Sequence, residues 1–324
     1  MNAMVTRPAH VQKTTSGVYV TVDDLAKLEM VARNLTFLQK TTVQQSLVGR
    51  HDSKMRGRGL TFEELREYHA GDDIRTIDWR VTARTGKPFV RIYGEEKERP
   101  ALIVVDQRTN MFFGSRRSMK SVTAAEAAAL CAWRIFGSGD RVGGFVFNDE
   151  RIDELRPHRS REAIFALSTR ISVMNQELTA DTPARRSSGQ LNAALQAVAS
   201  VADHDHLIVI VSDFDGHTDA TKDMLLRLAT HNDVLAILVY DPFLLQLPTS
   251  GGIVVSGGST QAELAFQRPQ MRSAIGEFAR QRGRNLLAWQ VELGLPMLPV
   301  SSAQETAPQL RSLLAQAAWR QRRR

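Results

Sequence analysis

From residue 101 onward, short unbroken apolar runs alternate with helical segments, and this alternation constrains the fold more than any other feature of the 324-residue chain. Residues 101–105 are apolar throughout and end at Asp106, residues 118–136 are Ala-rich and helical, and residues 141–147 form a second strand entered through Ser138, Gly139 and Asp140. Strand, helix and strand in that order predict a βαβ unit with a parallel pair. Residues 151–156 read as a returning edge strand, followed by helical periodicity over 161–173. A helix over 189–201 then leads into the strand 207–211, which ends at Ser212 and Asp213. After it come a helix over 221–230, a strand over 234–239 ending at Tyr240 and Asp241, a Gly-rich hairpin around 253–255, a helix over 271–282, and a strand over 297–300. The last helix, 307–319, has Thr306 and Gln309 as a capping box. Continuous apolar strands set between helices are covered on both faces, so the expected class is α/β with a mostly parallel sheet.

The first hundred residues behave differently. Residues 21–38 read as one helix, capped by Thr21 and Asp24, with Leu25, Leu28, Ala32 and Leu35 on one face. Between 41 and 100, Gly49, Gly57, Gly59, Gly71, Gly86 and Gly94 punctuate charged segments, which predicts short strands and turns without a long helix. The expected organisation is a flexible N-terminus over 1–20, an N-terminal helix and strand-rich segment over 21–99, the sheet domain over 100–319, and a basic tail over 320–324.

Charge and composition narrow the partners. The 42 Lys and Arg against 35 Asp and Glu give a formal charge of +7, which invites a nucleic-acid reading. Four of those seven charges belong to Arg320, Arg322, Arg323 and Arg324, a run that reads as a solvated tail. No apolar run approaches the roughly 18 residues of a bilayer span, and the opening residues lack the apolar stretch of a secretory leader. One cysteine rules out an intramolecular disulfide, and together these features predict a cytoplasmic protein.

In an open parallel sheet, ligands collect where the strands end and the loops splay apart. Three strands end in a carboxylate, Asp106, Asp213 and Asp241. Such groups either hold a hard cation through their oxygens or cap the turn that follows. Elsewhere the chain lacks a phosphate-binding Walker loop, a Gly-x-Ser-x-Gly elbow and a dinucleotide fingerprint. Cys131 sits inside the Ala-rich helix as a buried thiol. Asp213-Phe214-Asp215-Gly216 lacks the closing Glu of a calcium loop, and Asp203-His204-Asp205-His206 lacks the second motif of a zinc site. The expected protein is not an enzyme.

Gly71-Asp72-Asp73-Ile74-Arg75-Thr76-Ile77-Asp78-Trp79, followed by Ala83-Arg84, Val90-Arg91-Ile92-Tyr93 and Glu95-Glu96, resembles the signature of the bacterial domain-of-unknown-function family 58. Val104-Val105-Asp106, Met111-Phe112-Phe113-Gly114, Gly139-Asp140-Arg141-Val142-Gly143, Ser212-Asp213-Phe214 and Leu247-Pro248 agree with it. The resemblance implies a von Willebrand A-like sheet and a partnership with AAA+ ATPases of the MoxR type, in assembling or maturing other proteins. In von Willebrand A domains an adhesion site holds Mg2+ through an Asp-x-Ser-x-Ser loop, a Thr and a second Asp, and leaves a position for a partner's carboxylate. Position by position, the two Asp correspond to Asp106 and Asp213, the serines to Arg108 and Asn110, and the Thr to Gly189, so three of five ligands differ.

Arg108 brings a permanent positive charge to this loop and either bridges Asp106 and Asp213 in place of a cation or points into solvent. The expected site therefore holds no metal, with Mg2+ on Asp106 and Asp213 as the alternative. In the signature, Asp72, Asp73, Arg75, Asp78, Arg80 and Arg84 suit a charge-paired turn with Trp79 as a buried apolar anchor. The alternative is a docking surface built on Trp and Arg. The leading expectation is a non-enzymatic adaptor with a degenerate adhesion site. Its rivals are a divalent-metal-dependent binding domain and a basic tail that binds nucleic acid or anionic membrane.

Overall fold

The computed structural model describes residues 16–35, 60–95, 98–179, 189–245, 247, 252–256, 261–265 and 269–321. The chain divides into two compact units, one comprising Met1–Gln39 with Arg99–Arg324 and the other Lys40–Glu98. In chain order the elements are α1 (Val22–Ala32), then β1 (Leu60–Glu67), α2 (Trp79–Thr85) and β2 (Phe89–Glu95) of the smaller unit. The larger unit resumes with β3 (Pro100–Asp106), α3 (Lys120–Gly137), β4 (Arg141–Phe147), β5 (Ile152–His158), α4 (Arg161–Glu177) and α5 (Gln190–Ala199). It continues through β6 (Leu207–Ser212), α6 (Asp219–His231), β7 (Asp233–Tyr240), β8 (Gly252–Ser256), β9 (Gln261–Ala265), α7 (Pro269–Glu292), β10 (Met297–Ser301) and α8 (Thr306–Gln321).

Six of these strands form one sheet in the order β10-β7-β6-β3-β4-β5, parallel except for β5, which returns antiparallel along β4 at the edge. Numbered by their own sequence order, the six strands follow the doubly wound 3-2-1-4-5-6 pattern. The expected α/β class, a mostly parallel doubly wound sheet with helices on both faces, is therefore present. The chain leaves β3 for β4 on one side and comes back to place β6 on the other, so the switch point lies between the carboxyl ends of β3 and β6.

The apolar run of β3 explains why the sheet is buried on both sides. Ala101, Ile103 and Val105 enter the core covered by α1, α3, α4 and α8, whereas Leu102 and Val104 enter the core covered by α5, α6 and α7. All five are fully buried, as expected for a strand whose alternate side chains meet a helical layer on each face. β4 comes close enough to β3 that a Cβ at Gly144 would stand 2.1 Å from the Ile103 carbonyl oxygen, so only glycine fits there. α3 is apolar around most of its circumference because it is enclosed by the sheet and by α1, α4 and α8. Its alanines allow that close approach.

Three boundaries differ from the sequence reading. α1 does have the Thr21–Asp24 capping box, but it belongs with the sheet rather than with a 21–99 domain. Leu25, Ala32 and Leu35 are buried in the sheet core, and the Trp133 Nε1–H donates to the Leu25 carbonyl at 3.1 Å. The flexible 1–20 segment is likewise too long. The Val20 N–H donates to Asn175 Oδ1 at 2.9 Å, the Tyr19 hydroxyl donates to the Leu178 carbonyl at 3.0 Å, and the Met119 N–H donates to the Gly17 carbonyl at 2.8 Å. Residues 1–15 lie outside the described residues, as do 322–324, while α8 itself runs to Gln321 through part of the expected tail. α8 starts without the Thr306–Gln309 box. Gln309 instead pairs in both directions with the backbone of Ser301 at 2.9 Å, and Thr306 bonds Glu126. The edge strand and the Gly-rich hairpin stand where expected, and α7 extends past residue 282 because Leu286 and Trp289 are buried in the second core.

Candidate functional site at the switch point

Asp106 ends β3, Asp213 follows β6, and both lie at the switch point with their side chains buried. Arg108 turns inward rather than toward solvent. Its Nε donates to Asp106 Oδ1 at 3.0 Å, its Nη2 to Asp106 Oδ2 at 2.7 Å, and its own backbone N–H to Oδ1 at 3.0 Å. The same Nη2 stands 3.9 Å from Asp213 Oδ1, Nη1 donates to the Asp215 carbonyl at 3.1 Å, and the guanidinium lies 5.6 Å from the Phe147 ring centroid. The guanidinium thus grips Asp106 with a planar fork and touches Asp213 only at the limit of an ion pair.

Asp213 has a cation of its own, which sequence reasoning missed. Lys120 at the head of α3 donates to Asp213 Oδ2 at 2.5 Å. Asn110 Nδ2 donates to Asp213 Oδ1 at 2.8 Å, and the Asp215 N–H donates to the same oxygen at 2.8 Å. Burial alone would raise the Asp213 pKa, but Lys120, then Arg108 and Arg282, override it and hold the carboxyl below the usual carboxylate range. For Arg108, burial works against the charge, and Asp106, Asp213 and Asp149 more than restore it, so its pKa is raised. The bond from Ser212 to Asp106 was also missed. The Ser212 hydroxyl donates to Asp106 Oδ2 at 2.6 Å and accepts the Phe214 N–H at 2.9 Å. Phe214 takes a left-handed backbone with φ 54°, and its fully buried ring against Trp289 offsets that strain.

These donors decide whether the residues suit a divalent cation. Asp106 Oδ1 and Oδ2 both accept from Arg108, Asp213 Oδ1 accepts from Asn110 and Asp215, and Asp213 Oδ2 accepts from Lys120. All four carboxylate oxygens are engaged by donors, and two side-chain cations stand beside them. Hard divalent cations need free oxygen ligands, so the residues as arranged do not fit Mg2+. Gly189 precedes α5 as an exposed residue and supplies only its backbone, the carbonyl accepting the Ala193 N–H at 2.8 Å. Among the described residues no group of three or more His, Cys, Asp or Glu gathers as metal ligands.

The third strand-end carboxylate is a cap. Asp241 accepts the Ser115 N–H and hydroxyl at 2.9 and 2.6 Å, the Ser302 hydroxyl at 2.5 Å and the Phe243 N–H at 2.9 Å. Cys131 is buried, and burial pushes its thiol up to about 12. Asp219 opens α6, and among the described residues the His204 side chain pairs with its exposed neighbour Asp205.

The smaller unit uses its signature differently from the expectation. β1 and β2 pair antiparallel from Leu60↔Glu95 to Glu67↔Phe89, with the motif between them. Asp72 accepts Arg66 Nη1 and Nη2 at 2.9 and 2.7 Å, and Asp78 accepts Arg91 Nε and Nη2 at 2.8 and 2.7 Å. Asp78 also caps α2 through the Arg80 and Val81 N–H groups, and Asp73 caps the turn Ile74–Thr76 through the Arg75 N–H. Arg91 and these caps hold the Asp78 pKa low, and Arg66 with the His69 N–H does so for Asp72. The expected cations were Arg75, Arg80 and Arg84, yet the pairs are made by Arg66 on β1 and Arg91 on β2, because strand pairing presents those two side chains to the motif's acids. Trp79 corrects the other half of the expectation. It is 68% exposed and is not a buried anchor. Gly71, at φ 112°, makes the turn into the motif, a conformation L side chains rarely adopt.

The structure therefore defines an α/β protein with a doubly wound sheet whose switch-point acids are closed by an arginine and a lysine. The family model described as protein of unknown function DUF58 matches residues 64–285, and the chain belongs to that family. Uncharacterised proteins of Mycobacterium bovis and Mycobacterium tuberculosis are 31% identical over 260 residues, covering 80% of this chain and 78% of theirs. Among solved structures, a conserved hypothetical protein BatB from Bacteroides thetaiotaomicron aligns at 13% identity with a TM-score of 0.39, over 70% of this chain and 100% of its own. An aerotolerance-related membrane protein from Bacteroides fragilis aligns at 11% identity with a TM-score of 0.38, over 67% of this chain and 99% of its own. In this chain no helix among the described residues is long and apolar enough to cross a membrane.

Proposed function

We propose that the protein is a non-enzymatic interaction or adaptor protein whose adhesion-like site works without a divalent cation, and that its partner is a MoxR-type AAA+ ATPase. The observation that carries the metal-independent part is the Arg108 fork on Asp106, which fills the coordination positions a cation would need. Tethered cations cannot exchange, so binding at this face is set by the protein alone rather than by metal supply. The ATPase partnership comes from the family resemblance. Calorimetric titration of the full chain with Mg2+ and Mn2+ is expected to show no stoichiometric binding, and the affinity for the purified ATPase is expected to be unchanged by EDTA. Tight metal binding lost on Asp106→Ala would overturn the metal-free site, and no complex with the ATPase under either condition would overturn the partnership.

A further inference from the structure

Neither strand pairing nor ion pairing accounts for the outer face of α2 and the turn before it. Ile74 and Trp79 are 65% and 68% exposed, and Arg75, Arg80, Ala83 and Arg84 are exposed beside them. The nearby acids are already committed inward, Asp72 to Arg66 and Asp78 to Arg91, while Asp73 caps the turn. Among the described residues no acid pairs with Arg75, Arg80 or Arg84. Arg80 and Arg84 stand one helical turn apart on one stripe of α2, with Trp79 and Ala83 on the neighbouring stripe.

We infer that this face docks a protein partner through an acidic surface, with carboxylates arranged around an apolar centre that receives Trp79. The inference rests on the interaction reading above and names the surface and the chemistry it selects. Trp and Arg are the side chains that carry most affinity at the centres of protein interfaces, and three unpaired guanidiniums favour carboxylates through two-pronged hydrogen bonds. Other anionic partners suit it less well. Trp79 is the one exposed Phe, Tyr or Trp ring among the unit's residues of described burial, whereas single-stranded nucleic acid binds by stacking successive bases on several rings. α2 has seven residues, about 10 Å of helix, too short to lie along a bilayer as an amphipathic anchor.

The test uses the full chain against a purified MoxR-type AAA+ ATPase from the same organism, with phosphatidylglycerol vesicles and a single-stranded DNA oligonucleotide as competing probes. Trp79→Ala and the pair Arg80→Glu with Arg84→Glu are each expected to weaken ATPase binding by about tenfold or more. The melting temperature should stay that of the parent, and the parent's affinity should fall with added salt. If the parent binds the ATPase and both variants bind it equally well, the docking face is wrong and the adaptor reading stands. If the parent does not bind the ATPase, the adaptor reading fails and takes this assignment with it. Variants that lose vesicle or DNA binding while keeping the ATPase would overturn the choice of a protein partner.

Discussion

The switch point and the signature unit both place arginines beside aspartates, and they dispose of them in opposite ways. At the switch point Arg108 is 3% exposed and turned onto Asp106 within its own loop, while Lys120 reaches Asp213 from another element. In the signature the acids Asp72 and Asp78 are claimed by strand arginines, leaving Arg75, Arg80 and Arg84 facing water. The difference teaches that a cluster of opposite charges in sequence does not reveal its own pairing. Strand register and burial decide which cation meets which acid, and the cations left over define the face that can meet another molecule.

Arg108→Ala gives the sharpest contrast. It leaves Asp106 buried with only the Ser212 hydroxyl and a backbone N–H, and breaking one side of a buried pair costs about 3–5 kcal/mol. Denaturant unfolding should show that loss, and Mg2+ should raise the variant's melting temperature more than the parent's, since the freed carboxylate then offers oxygens to a cation. A loss below about 1 kcal/mol would mean that the fork contributes no more than an exposed pair.

Asp213→Asn is next, at about 2–3 kcal/mol, because Lys120 loses its partner while staying largely buried. Its pH signature has a definite sign. The folded pKa of Asp213 lies below the unfolded value of roughly 3.9, so its contribution is fully present above that value and is lost as pH falls through the folded pKa. Stability of the parent should therefore drop more steeply with acid below about pH 4 than that of the asparagine variant. Parallel curves would assign the acid sensitivity to other carboxylates.

Cys131 tests the burial of α3 without altering the chain. With its thiol pushed up to about 12 and no surface exposed, it should resist a thiol reagent at neutral pH until the protein unfolds. Rapid labelling of the folded protein would show that the helix enclosed by α1, α4 and α8 opens locally.

Much of this architecture was legible. The unbroken runs at 101–105 and 207–211 marked two central strands, and their terminal acids marked the switch point, because a strand buried on both faces leaves its ends as the natural place for polar groups. Arg108 was legible as a candidate cation because the family resemblance places it at a serine position of the adhesion loop. The bonds made by Lys120, Ser212 and Arg282 were not legible, since Lys120 and Arg282 reach Asp213 from 93 and 69 residues away and Ser212 reaches Asp106 from 106, contacts that only the crossover order creates. The place of α1 was hidden for the same reason. Its apolar face was plain, but whether that face met the sheet or the signature depended on tertiary packing.

The smallest expected effect tests the other half of the comparison. Arg75 was expected to lock the signature, and its replacement should then have lowered the melting temperature. In the structure its side chain is exposed and only its backbone N–H is used, by Asp73. Arg75→Ala keeps that N–H, so stability should change by no more than about 0.5 kcal/mol, as for surface substitutions that break no pair. Arg91→Ala should lower stability measurably, since it removes both guanidinium bonds from Asp78, the residue that caps α2. Equal losses for the two variants would mean that the motif's own arginine shares the structural role, and the contrast between inward-turned and outward-facing charges would disappear.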